Sequence, residues 1–305
     1  MKVKHQLAAV IAVVVAIAFV IAFVGLNSPG SPAASRDHVR VVATSTVLYL
    51  DVGASVSVGV QPTPRNPKGQ PTNRGYSNRL VTMEAAKGIT LNLRELGCPG
   101  ESIATMIHGP DPCYVAPDTQ LSDAVTFLRV HHSAITLVTV DLGFNTLDVC
   151  LRHRDIDRTC VSPQLTLLRR QLTYVMRDLT RAAGPHVTFI GVGHYNPYLS
   201  FSTKEGSTET FAANSVAALR QMNRTLAEVY GSFKVPMADV ATAFHEEDLR
   251  IVRRPHKEAT TVNVLYECTL TWMCAPKPYG PNIHPSDAGY AVIAKAIAVL
   301  LPPNL

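Results

Sequence analysis

Four short stretches, far apart in the chain, carry residue types that together could run acyl-transfer chemistry. Gly53-Ala54-Ser55 follows an apolar run and offers a hydroxyl that could attack a carbonyl carbon. Gly97-Cys98-Pro99-Gly100-Glu101-Ser102 is a turn rich in backbone N–H groups, and Gly143-Phe144-Asn145 is a second turn that adds a side-chain amide donor. His284-Pro285-Ser286-Asp287-Ala288-Gly289 supplies a late imidazole that could take the proton of the hydroxyl. An attacking oxygen, a base and donors for the oxyanion of a tetrahedral intermediate are what acyl transfer requires. Each stretch alone reads as turn or cap chemistry. Their joint order points to a hydrolase.

The elements that must position these residues follow from hydrophobic periodicity. Val47 to Val52, Ile89 to Leu93, Ala134 to Val140, His186 to Val192 and Val235 to Asp239 read as short buried strands. Leu121 to Val130, Pro163 to Ala182 and Thr208 to Tyr230 show apolar residues at helical spacing. Phe211, Val216, Leu219, Met222, Leu226 and Val229 form a core-facing stripe in the last of these. Asp287 to Leu301 closes the chain as a helix with Ser286 as its N-cap and Pro302-Pro303 as its stop. Strands alternating with helices predict an α/β fold: a three-layer αβα sandwich around a parallel sheet of about five strands. Reacting groups of such sheets gather at the carboxyl ends of the strands, and Gly53, Gly100 and Gly143 each sit just past one. Gln61 to Gly75 and Thr242 to Pro281 read as long loops of the kind that can shape a cleft.

These blocks carry a family resemblance. Gly53-Ala54-Ser55-Val56-Ser57-Val58-Gly59 resembles the nucleophile block of the SGNH (GDSL-type) hydrolases. Leu96 to Ser102 looks like their glycine block, Asp141-Leu142-Gly143-Phe144-Asn145 like their Gly-x-Asn block, and Ile283-His284-Pro285 with Gly289-Tyr290 like their histidine block. The likeness spans about Tyr49 to Leu301. It is closest to secreted, disulfide-bearing esterases and lipases of actinobacterial type, a likeness that includes Cys98-Pro99-Gly100 and Thr271-Trp272-Met273-Cys274-Ala275-Pro276. It implies a flavodoxin-like fold, Ser55 as nucleophile and His284 as general base. It also implies an oxyanion hole made by the Ser55 N–H, the Gly100 N–H and the Asn145 amide. The substrate class implied is a carboxylic ester or lipid, with no metal or other cofactor. The same serine could instead serve an O-acyltransferase or a glycan deacetylase, or the chain could be an envelope binding module. Ser57 stands where a Gly-x-Ser-x-Gly elbow would have its second glycine, which argues against the ordinary α/β-hydrolase fold.

Two positions depart from the family pattern. Ala54 replaces the aspartate of the Gly-Asp-Ser block. Pro281, followed by Asn282, stands where an aspartate three residues before the histidine is usual. The expectation is therefore a Ser–His dyad, with the Pro281 backbone carbonyl accepting from Nδ1–H of His284. His194 and the remaining histidines lack a paired motif and read as structural or surface groups. Asp141 either orients the oxyanion loop or only ends a strand.

The N-terminus bears on compartment. Leu7 to Leu26 is a run of twenty residues without a charged or polar side chain, preceded by Lys2 and Lys4. That is long enough to span a bilayer, and the basic flank places the N-terminus inside and the body outside. Residues 1–26 therefore read as a membrane anchor or signal peptide, 27–37 as a Ser-, Pro- and Gly-rich tether, and 38–305 as the hydrolase domain. Ser31-Pro32-Ala33-Ala34 leaves cleavage open. The six cysteines allow fifteen connectivities. We favour the sequence-local pairs Cys98–Cys113, Cys150–Cys160 and Cys268–Cys274, because each would clip one loop. A Cys-x-x-Cys metal spacing is absent. The net charge of +5 is scattered, apart from a denser stretch at Arg250, Arg253, Arg254, His256 and Lys257. Without a stripe or a known module it does not indicate nucleic acid. A monomer acting outside the cytoplasm is the expectation.

Overall fold

The β-branched run that ends at Asp141 becomes the middle strand of the sheet. The computed structural model describes residues 46–151, 156–203, 207–253, 258–303 and 305. The expected anchor and tether lie outside these. Among the described residues no helix is long and apolar enough to cross a membrane. Strands β1 (Thr46–Gly53), β2 (Thr90–Glu95), β3 (Ile135–Asp141), β4 (Thr188–Val192) and β5 (Met237–Ala238) form one parallel sheet in the order β2-β1-β3-β4-β5. The helices are α1 (Tyr76–Ala85), α2 (Ile103–His108), α3 (Gln120–Val130), α4 (Phe144–Asp148), α5 (Arg158–Ala183), α6 (Ser207–Ser232), α7 (Val240–Ala243), α8 (Val262–Leu270) and α9 (Asp287–Ala298). A 3-10 turn (Leu199–Thr203) and two short antiparallel pairs complete the described elements. The pairs are β6 (Ile251–Val252) with β7 (Thr260–Thr261), and β8 (Thr271–Trp272) with β9 (Asn282–Pro285).

Side-chain alternation along the strands divides the core in two. Leu50, Val52, Val138 and Val140 pack in one cluster with Met106, Leu128, Leu147, Leu172 and Leu226 of α2 to α6. Val47, Tyr49 and Leu137 point the other way and pack with Leu80 of α1 and Tyr290 and Ile293 of α9. Burying one such aliphatic side chain is worth about 1.5–3 kcal/mol, so a strand with both faces covered is held from both sides. The three-layer αβα architecture is therefore as the alternation of elements predicts.

The differences lie in boundaries, in connections and in helices α1, α2, α4, α7 and α8, which the sequence reading did not single out. Helix α5 begins five residues before Pro163, because the Asp157 side chain caps it by accepting from the N–H groups of Thr159 and Cys160. The segment Thr242 to Pro281, read as a loop, holds β6, β7, α8 and β8. The three disulfides are Cys98–Cys113, Cys150–Cys160 and Cys268–Cys274. The first braces the turn that holds Gly100. The third joins α8 to the residues just after β8, the strand against which β9 lies.

Candidate active site

The register of β1 against β3 sets Gly53 directly beside Asp141 at the carboxyl edge of the sheet. The approach is close enough that a Cβ on residue 53 would lie 2.6 Å from the Asp141 carbonyl oxygen and 2.9 Å from its Cβ. Only glycine fits, and the chain turns there into Ser55. Ser55, Asn145 and His284 line one cleft, together with Ala54, Val56, Asp141, Gly143, Phe144, His194, Tyr195 and Ile283. Sequence-distant residues expected to act together thus share a cavity. Gly100 does not line that cleft; its turn, with φ +87°, is tied to it through hydrogen bonds.

Those bonds run through a residue that the sequence did not single out. Gln120, the first residue of α3 and fully buried, accepts from the Gly53 N–H at 2.9 Å and donates to the Gly53 carbonyl at 2.9 Å. Its Nε2 also donates to Glu101 Oε2 at 3.1 Å. The Cys98 N–H donates to the same Gly53 carbonyl. The Glu101 carbonyl in turn accepts from Asn145 Nδ2 at 2.9 Å. One buried amide therefore connects the serine turn, the glycine turn and, through Glu101, the asparagine turn. Gln120 lies 67 residues from Gly53, and nothing local in the sequence announces the pairing. Among the described residues, the N–H groups of Ser55 and Gly100 have no hydrogen-bond acceptor. Asn145 spends one amide hydrogen on Glu101 and keeps the other.

His284 sits on β9, which pairs with β8 and leads directly into α9, capped by Ser286. The partner of its Nδ1 is the Asn282 side chain, not the Pro281 carbonyl. Asn282 Oδ1 lies 2.7 Å from Nδ1 and also accepts from the His284 N–H at 2.9 Å. The reason is on the other side of the amide, where Asn282 Nδ2 donates to the carbonyls of Pro67 at 2.9 Å and Lys68 at 3.2 Å. Both carbonyls can only accept, so the nitrogen must face them and the oxygen must face His284. Nδ1 then carries the hydrogen, and Nε2 is left with its lone pair. Burial lowers the imidazole to a pKa of about 4, so the ring is neutral at neutral pH. The tip of the histidine loop is further held by the Tyr195 hydroxyl, which donates to the Ile283 carbonyl at 2.7 Å.

Two acidic groups lie around the cleft. Asp141 is buried, and burial raises its carboxyl above the usual range, with His194 and the Ser57 N–H opposing. Glu101 is raised to about 7, again chiefly by burial, against hydrogen bonds from Thr105 and Gln120. His194, read from sequence as a structural or surface group, lines the cleft beside Ser55 and Asn145. Together these groups can do four things: present a hydroxyl, accept a proton at Nε2, hold that base in one tautomer, and offer N–H donors with no other acceptor.

No family model matches the sequence, and no curated protein matches it. Solved structures do share its fold. An extracellular lipase from Streptomyces rimosus superposes with a TM-score of 0.54 at 15% identity, covering 84% of this chain and 100% of the lipase. A phospholipase A1 from Streptomyces albidoflavus NA297 gives 0.52 at 16% identity, covering 84% and 99%. The chain thus has the fold of these two lipolytic enzymes, and the SGNH resemblance of its four blocks stands at the level of that fold.

Proposed function

We propose that this chain is an extracytoplasmic serine ester hydrolase of the SGNH type, cleaving carboxylic esters through an acyl-enzyme on Ser55. The observation that carries the reading is the shared cleft of Ser55, Asn145 and His284, with the imidazole held by Asn282 so that Nε2 is free to accept a proton. Ser55 Oγ gives its proton to Nε2 and attacks the ester carbonyl. The N–H groups of Ser55 and Gly100 and the free Asn145 amide hydrogen receive the oxyanion. The imidazolium returns its proton to the leaving alkoxide, and water then repeats the sequence to release the acid. Asn282 replaces the usual carboxylate; it fixes the tautomer but supplies no charge to the imidazolium. Three disulfides and the apolar N-terminal run support a site of action outside the cytoplasm.

The test uses the full-length, disulfide-intact protein. A fluorophosphonate should label Ser55 stoichiometrically, and p-nitrophenyl butyrate should be hydrolysed. A folded protein that is neither labelled nor active would sink the proposal.

The protonation states give a pH prediction. The neutral imidazole is the base, so protonating it stops the reaction. With His284 lowered to about 4, kcat/KM for ethyl butyrate should lose its last activity only as pH falls through about 4. Glu101 titrates near 7 and adds a separate inflection there, because its charge acts on the oxyanion turns through Gln120. Glu101→Gln should remove the upper inflection and keep the lower. Asn282→Asp should move the lower one upward, since a carboxylate beside Nδ1 stabilises the imidazolium. Released acid measured across pH 3 to 9 reads all three.

A further inference from the structure

His194 and Asp141 line the cleft but take no part in the proton transfers just described. His194 lies two residues past the end of β4, and its backbone is clamped on both sides by one side chain of α6. Its N–H donates to Asn223 Oδ1 at 2.9 Å, and its carbonyl accepts from Asn223 Nδ2 at 2.7 Å. The ring is equally fixed. Nε2 lies 3.2 Å from the Leu142 carbonyl oxygen and 3.6 Å from Asp141 Oδ1. Both neighbours are acceptors, so Nε2 carries the hydrogen. In the neutral ring Nδ1 is then an acceptor, and no described residue donates to it.

Asp141 lies on the Nε2 side of the ring and brings no donor to Nδ1. Neither of its buried carboxylate oxygens has a hydrogen-bond partner of good geometry. The rest of the cleft wall is largely apolar, with Ala54, Val56, Phe144 and Ile283, and the Tyr195 hydroxyl is already spent on the Ile283 carbonyl. Once a substrate fills the cleft, an acceptor left without a donor is cut off from water at a cost, and a substrate that brings a donor removes that cost. This region of the cleft therefore asks for a hydrogen-bond donor that a simple alkyl ester does not have.

We propose that His194 is a specificity residue that accepts a hydrogen bond at Nδ1 from a hydroxyl carried by the substrate near its reacting carbonyl, so that hydroxyl-bearing esters are favoured over plain alkyl esters. The inference rests on the ester hydrolase reading of the same site. It leaves two sources for the hydroxyl, the alcohol part of the ester and the acyl part.

The experiment compares kcat/KM of the full-length protein for glycerol monobutyrate, ethyl 3-hydroxybutyrate and ethyl butyrate. At least one hydroxyl-bearing ester should exceed ethyl butyrate by about tenfold or more, the order one hydrogen bond supplies. Preference for the first places the hydroxyl on the alcohol side, and preference for the second on the acyl side. In His194→Phe, which keeps a planar ring but has no acceptor, the ratio should fall to about one, whatever happens to the absolute rates. In His194→Gln, whose amide oxygen can still accept, part of the ratio should return. Fluorophosphonate labelling of Ser55 in each variant shows that the site is folded. A wild-type protein active on ethyl butyrate with no hydroxyl preference overturns this inference alone, as does a ratio that survives in His194→Phe. A wild-type protein inactive on all three, with Ser55 unlabelled, overturns the hydrolase reading and this inference together.

Discussion

Ser55→Ala is expected to lower kcat for p-nitrophenyl butyrate by about ten-thousand-fold or more, and His284→Ala by a similar factor. The double variant should be no slower than the worse single one. The argument is that nucleophile and base act as a unit. Without Ser55 there is no nucleophile to be acylated, and without His284 nothing takes the proton of its hydroxyl as it attacks. What remains in each variant is the contribution of the oxyanion donors and of substrate binding, which neither substitution touches. Steady-state kcat measured for the three variants decides the matter. Losses that multiply in the double variant would mean that the two residues act independently, contrary to the mechanism proposed. Because Asn282 offers His284 an amide oxygen and no charge, Asn282→Ala should cost far less than either, about 10- to 100-fold, as it releases the tautomer but removes no reacting group.

The second largest effect is expected at Asn145. Asn145→Ala should reduce kcat by about 100- to 1000-fold and move KM by no more than a few-fold. The free hydrogen of its amide acts on charge that develops in the transition state and is nearly absent in the bound ester, so the loss appears in kcat. The amide can act this way because its other hydrogen is already committed to the Glu101 carbonyl, so it needs no reorganisation when the oxyanion forms. The same reasoning extends to Gln120. Gln120→Leu removes the acceptor of the Gly53 N–H and the link to Glu101 while leaving every proposed reacting group in place. It should lower kcat about tenfold and destabilise the fold by about 1–3 kcal/mol, the usual cost of a buried group left unpaired. Paired kinetics and denaturant titration separate the two effects. A Gln120→Leu protein with wild-type kcat would show that the three turns hold their geometry without it.

The pH profile bears on the same architecture from another side. An acid limb near the ordinary histidine range would mean that His284 is better solvated, or better paired with charge, than its packing and its Asn282 partner allow. Together with the kinetic variants, it separates two functions of the histidine loop. One is the supply of a base. The other is the holding of that base in one tautomer.

Most of the fold was legible in the chain itself, for local reasons. The strand runs ending at Val52 and Val140 are short, nearly continuous apolar stretches rich in β-branched residues and bounded by turn residues, so the sheet, its longest helices and its carboxyl-end glycines follow from near neighbours in sequence. Three of the four blocks that line or support the cleft were legible for the same reason, since each is a short strand-end turn, and the histidine block was legible as the lead into the last helix. The preferred disulfide pairing was also local. The connections around the cleft were harder, because α8 and β8 lie within a Pro-rich stretch whose composition reads as loop.

What only the tertiary structure decided was the pairing of groups across those turns. The choice of Asn282 over the Pro281 carbonyl depends on two carbonyls, of Pro67 and Lys68, that orient the amide from more than two hundred residues away. Gln120 reaches Gly53 because α3 starts beside the end of β1, and Asp141 stands beside Gly53 because of one particular β1–β3 register. His194 enters the cleft because β4 lies next to β3 and Asn223 clamps the chain beyond it. Periodicity and turn chemistry report what a residue does to its own stretch of backbone. Hydrogen-bond partners at a cleft are set by which strand ends come together, and that is a property of the packed sheet.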